Sequence, residues 1–148
     1  MPDQSDDPFN LNRFLEAQDD DYATALAEIK AGAKRSHWMW YIFPQLDGLG
    51  YSSTARFYAI KNLDEVRAFL DHPVLGPRLR ECAQAVLDVQ GKSAAAIFGS
   101  PDDLKLRSSA TLFAIVSPPG SVFERILEKY FGGKPDEKTV MLLRNKVQ

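Results

Sequence analysis

Glycines and prolines recur at short intervals along this chain and cut its apolar pattern into brief segments, which leaves room for many short elements and none that is long. Gly32, Pro44, Gly48 with Gly50, Pro73, Gly91, Gly99 with Pro101, Pro118-Pro119-Gly120 and Gly132-Gly133 are the breaks. Between them the apolar residues keep helical spacing. Phe9, Leu11, Phe14 and Leu15 predict a first short helix, and Tyr22, Ala25, Leu26 and Ile29 a second that ends at Gly32. His37 to Phe43 suits a buried strand or a buried helical turn, and we read it as helix. Thr54 to Ile60 forms a further short helix. Asn62 with Glu65 makes a capping box for a helix from Leu63 to about Asp71, and His72-Pro73 interrupts it. From Pro77 the spacing of Leu79, Cys82, Ala83, Val86 and Leu87 carries a longer helix to about Val89. Ser93 to Phe98 follows. Ser100-Pro101-Asp102-Asp103 then supplies a cap, a first-turn proline and two acids for a helix that runs to about Val116. Ser121 with Glu124 caps the next helix, and Asp136 caps the last. No alternating run demands a sheet. The expectation is an all-α chain, a single compact domain of about seven to nine short helices spanning 8–148 behind a disordered tail at 1–7.

Bulk properties narrow the function more than they name it. The 148 residues suffice for one self-sufficient core, and 45% hydrophobic with 26% charged content is ordinary for a globular protein. A net charge of -2 supplies no field to gather nucleic-acid phosphates, so generic nucleic-acid binding is not expected. No apolar stretch approaches the roughly 18 residues of a membrane span, and Met1 to Asp7 lacks the pattern of a signal peptide. A cytoplasmic location without membrane association is therefore expected. The lone cysteine, Cys82, sits among small and apolar helical neighbours and reads as a packing thiol.

Several chemistries lack their motifs. His37, His72 and Cys82 give no metal-ligand spacing, so no metal is expected. Gly48-Leu49-Gly50 is a turn rather than a dinucleotide fingerprint, no serine elbow exists, and no cofactor is indicated. Lys34 to Gln45 stands out, because it holds both tryptophans, Trp38 and Trp40, beside Lys34, Arg35 and His37. Packing is the ordinary role for such large side chains. The functional role is a site for a planar anion: Trp38 or Trp40 stacks on a ring, Lys34 holds the charge and His37 moves a proton. A second constellation is Asp102, Lys105 and Ser109, which share one helical stripe. Helix-dipole and ion-pair effects account for it equally well. Asp136 and Thr139 repeat the theme at the last helix, where capping suffices for Asp136.

Taken together, Phe14 to Gln18, Gly32 to Leu49, His72 to Gly76, Phe98-Gly99, Asp102 to Phe113 and Asp136 to Thr139 resemble the bacterial domain of unknown function numbered 1810, often mislabelled calpastatin. Ser36-His37-Trp38-Met39-Trp40, Phe43-Pro44-Gln45 and the Lys105-Leu106…Ser108-Ser109 signature carry the likeness from about Phe9 to Leu142. Arg107 is a departure, since it lengthens the link between leucine and serines. The resemblance implies a small helical cytoplasmic domain with no established activity. The calpastatin label does not fit, because that inhibitor is a disordered repeat protein.

The resemblance also marks Lys34, His37, Trp38, Trp40, Gln45, Asp102, Lys105, Ser108, Ser109, Thr111, Asp136 and Thr139, too many polar positions for packing alone. The first expectation is a domain binding or hydrolysing a small anionic metabolite with a planar ring, of nucleotide or ADP-ribose type. His37, Asp102 and Asp136 would then be catalytic, and Lys34, Trp38, Trp40, Gln45, Lys105, Ser109 and Thr139 would bind the ligand. The alternative is a non-catalytic protein-interaction module, its partner unspecified, with an exposed indole as anchor.

Overall fold

The computed structural model describes residues 7–147, which form helices joined by short loops, with no strand among the described residues. The helices are α1 (Asn12–Lys30), α2 (Met39–Ile42), α3 (Ser53–Tyr58), α4 (Leu63–Asp71), α5 (Leu75–Asp88), α6 (Ala94–Phe98), α7 (Asp102–Ile115), α8 (Val122–Phe131) and α9 (Glu137–Val147). The chain is thus a single compact all-α domain.

The first two expected helices are one. Gln18 occupies the inward stripe between Phe14 and Ala25, so the hydrophobic period lapses in the sequence while the helix runs on. Its amide donates to the Tyr41 carbonyl at 2.8 Å, which satisfies a buried polar group. The helix begins under Asp7, whose carboxylate accepts from Leu11 N at 2.7 Å and Asn12 N at 3.0 Å. The rest of the expected tail, residues 1–6, lies outside the described residues.

Side-chain caps set most other starts. Ser52, Asn62, Ser93 and Ser121 each accept from the backbone N–H three residues on. α5 begins two residues before the expected Pro77, because the His72 ring nitrogen Nδ1 accepts from Val74 N and Leu75 N at 3.0 and 3.2 Å. The expected Ser100 cap is absent: Pro101 occupies the cap position of α7, with no side-chain bond, and turn bonds to Gly99 and Pro101 carbonyls open the helix.

α5 and α7 are the central helices. α5 packs against α1, α4 and α8, and α7 against α4, α6, α8 and α9. A row of aromatic rings runs through the core: Phe14 meets Phe69 edge-on at 5.0 Å, Phe69 lies 5.5 Å from Phe113, and Phe113 5.6 Å from Phe123. Such pairs add about 0.5–1.5 kcal/mol each beyond area burial. Cys82 is fully buried, and burial pushes its thiol up to about 12.

One non-helical feature positions the site. Leu46 and Ile60 form an isolated parallel bridge through Asp47 N to Ile60 O (2.8 Å) and Ile60 N to Gln45 O (2.9 Å). It closes the loop that carries Leu49 to Ser52 and α3, and brings that loop beside the starts of α7 and α9.

Candidate functional site

The single turn α2 sorts the two tryptophans. Trp38 precedes it and is 0% exposed, its ring edge-on to Phe98 at 6.2 Å and its Nε1 donating to Glu28 at 2.9 Å. Trp40, two residues on, is half-buried and faces a groove of about 440 Å³. The walls are Trp40 and Gln45 from the aromatic segment, Leu49 to Ser52 from the loop, and Leu104, Lys105 and Ser108 from α7. Asp136 and Lys138 close the remaining side at the start of α9. Three stretches far apart in sequence, 40–55, 101–108 and 136–138, therefore meet here.

Both lysines of the groove lie against aromatic rings that also line it. Lys105 Nζ is 5.1 Å from the Trp40 ring centroid, and Lys138 Nζ is 5.7 Å from that of Tyr51. Lys105 is further tied to Asp102 Oδ1 at 3.3 Å. The other Asp102 oxygen pairs with Lys34 at 2.8 Å, and Lys34 also donates to the Ser36 carbonyl at 2.6 Å and lies 5.0 Å from the Trp38 ring. With its side chain only 7% exposed, Lys34 neutralises Asp102 from inside, whereas Lys105 at 26% reaches the groove.

Trp40, Gln45, Lys105 and Asp136 of the expected residues border the groove. The others lie elsewhere. Lys34 and Asp102 form the ion pair behind Lys105. His37 is exposed outside the groove lining, and its carbonyl accepts from the Tyr41 hydroxyl at 3.2 Å. Ser109 is buried with its hydroxyl unpartnered, and it is Ser108, donating to the Leu104 carbonyl at 3.1 Å, that reaches the wall. Thr139 is buried against Asp136, to whose Oδ2 it donates through N (3.0 Å) and Oγ1 (2.6 Å). Asp136 N in turn donates to Thr111 Oγ1 at 2.8 Å, which fastens the α9 start to α7.

Tyr51, Leu104 and Lys138 were not foreseen as site residues. Lys138 sits between the signature positions Asp136 and Thr139, which was the available signal; Tyr51 lies in a glycine-flanked loop and gave none. Behind the groove, Glu28 accepts from Arg35 N, Ser36 N, Ser36 Oγ and Trp38 Nε1 at 2.6–2.9 Å. Burial alone would raise its carboxyl, but these four donors outweigh that and hold it down at about 2. A separate groove of about 410 Å³ beside α1 and α5 is lined by Lys30, Glu81, Gln84, Ala85, Asp88 and Val89. It holds no aromatic side chain and none of the expected residues. Among the described residues no cluster of metal-ligating side chains occurs and no helix is long and apolar enough to cross a membrane.

The family described as protein of unknown function (DUF1810) matches residues 8–143. A crystal structure of the conserved hypothetical protein Rv1873 from Mycobacterium tuberculosis is similar at 52% identity, with a TM-score of 0.91 over 93% of this chain and 99% of that one. Comparison with curated proteins gives no match.

Proposed function

The chain belongs to the DUF1810 family, and from the groove's composition we propose that it binds a small anionic metabolite with a planar ring. The convergence of Trp40, Gln45, Lys105 and Asp136 on one concave surface carries this reading. An indole face, two lysines, an amide and a carboxylate are the complement such a ligand needs, and the volume falls within the about 300–1,000 Å³ usual for small-molecule sites. Packing alone gives no reason for these four to share solvent.

A thermal-shift screen against nucleotides, ADP-ribose-type compounds, sugar phosphates and nucleosides tests it. A ligand at 100 times its dissociation constant stabilises by about 2.7 kcal/mol, and the shift should vanish in Trp40→Ala and Lys105→Met. Silence across the panel would refute the reading. Glycosidic-bond hydrolysis is its enzymatic form. In that form Asp136, which borders the groove, would carry the proton, so Asp136→Asn should abolish turnover while keeping ligand-induced stabilisation.

Tyr51 and Leu104, 72% and 54% exposed at the groove, favour a second reading as a protein-interaction surface. Its anchors would be these two side chains rather than an indole. Loss of a partner complex on Leu104→Ser, with the thermal-shift panel silent, would select it.

A further inference from the structure

Lys105 Nζ lies over the Trp40 ring, 5.1 Å from its centroid, and both side chains line the groove, so a planar ligand stacking on that face would meet the ammonium. We infer that the ligand is a phosphate monoester of a planar-ring compound, and that Lys105 leaves Trp40 to grip its phosphate while the ring takes the vacated indole face. This rests on the small-ligand reading above and specifies the ligand's chemistry.

Three observations support the exchange. Asp102 holds Lys105 by the longer of its two ion pairs, 3.3 Å against 2.8 Å to the buried Lys34. Lys34 therefore keeps Asp102 neutralised when Lys105 departs, and no uncompensated carboxylate results. The contacts Lys105 gives up, a partly solvated i,i+3 pair and a cation-π contact, are individually weak. A doubly charged phosphate offers a stronger, charge-assisted replacement.

The charge inventory limits the anion. Once Asp102 is assigned to Lys34, the groove's own lining has Lys105 and Lys138 against Asp136. Two cations and one anion suit a single phosphate better than a polyphosphate chain, whose further charges would meet Asp136 without partners. Asp136 accepts hydrogen bonds, as Thr139 shows, and a sugar hydroxyl is the matching donor.

Because Trp38 is fully buried, acrylamide quenching of tryptophan emission reports Trp40. The experiment measures quenching and melting temperature of the full chain with the four ribonucleoside 5′-monophosphates, their nucleosides, their triphosphates and inorganic phosphate. At least one monophosphate is expected to raise the melting temperature and shield Trp40, its nucleoside and triphosphate to do so much more weakly, and inorganic phosphate to give no shielding. Lys105→Met should weaken the monophosphate by about tenfold or more, and Lys105→Arg should restore it. A nucleoside that shields as well as its monophosphate overturns the inference, as does a triphosphate that binds more tightly. A monophosphate that stabilises the fold without shielding Trp40 also overturns it while sparing the small-ligand reading. Absence of any melting shift with these compounds overturns the inference, and silence across the wider panel above overturns the small-ligand reading as well.

Discussion

Arg13 makes its full set of hydrogen bonds inside the protein, and that makes it the most exacting single residue in the fold. Its guanidinium donates to the carbonyls of Phe9, Asn10, Phe57 and Ala59 at 2.7–3.0 Å and to Glu65 at 2.7 Å. Both members of the ion pair are buried. Truncating Arg13 to methionine leaves the Glu65 carboxylate uncompensated, so we expect a loss of about 3–5 kcal/mol in denaturant unfolding. Lysine should recover little of it, because an ammonium has three donors and no planar fork. Glu28 is the second such residue. Its four donors make Glu28→Gln cost about 1–3 kcal/mol, since a glutamine NH₂ would face donors. Its pH dependence follows from linkage: a carboxyl held below its unfolded value stabilises fully above that value, about 4.3, and the contribution fades as pH falls through about 2. Urea midpoints of wild type and Glu28→Gln should therefore differ most near neutrality and converge towards pH 2. A difference that stays constant across this range would show that the carboxylate's charge is not what the four donors recognise.

At the scale of elements, the crossing of α4 and α5 depends on one absent methyl group. A Cβ built on Gly76 would lie 2.1 Å from the Leu70 carbonyl oxygen and 2.9 Å from its carbon, both backbone atoms that no rotamer change can move. Gly76→Ala should cost about 1–3 kcal/mol or more and shift the melting temperature accordingly; a neutral effect would mean that the two helices slide apart freely. The same scale shows what could be read beforehand. Caps at Asn62, Ser121 and Asp136 are signals spanning three residues, and they are where the sequence placed them. The start of α5 was harder, because a histidine ring serves as its cap, and α1 looked broken because a glutamine stands in its buried stripe. α2 has a single turn, too short for any period to show which tryptophan faces inward. Resemblance marked five residues of the groove, Trp40, Gln45, Lys105, Ser108 and Asp136, but their meeting depends on the Leu46 and Ile60 bridge and on Thr111 holding Asp136, contacts between distant segments that no local pattern encodes.

For the whole molecule, Cys82 offers a gauge of how the core and the groove are coupled. The thiol lies on α5, which packs against α1, α4 and α8, so a reagent reaches it only when that packing opens. Burial also pushes its ionisation up to about 12, which removes the reactive thiolate from the folded state at neutral pH. Alkylation should accordingly run at least about 10³-fold slower than in the urea-unfolded chain, the margin set by global stability. Fast labelling in native buffer would instead reveal a local opening of α5 separate from global unfolding. Because Cys82 lies outside the groove lining, a ligand bound there can slow its labelling only by stabilising the whole domain, by the factor 1 + [L]/Kd. A ligand that raises the melting temperature yet leaves Cys82 labelling unchanged would show that α5 opens independently of the α2, α7 and α9 face. A decrease that tracks ligand saturation would show that groove and core unfold as one unit.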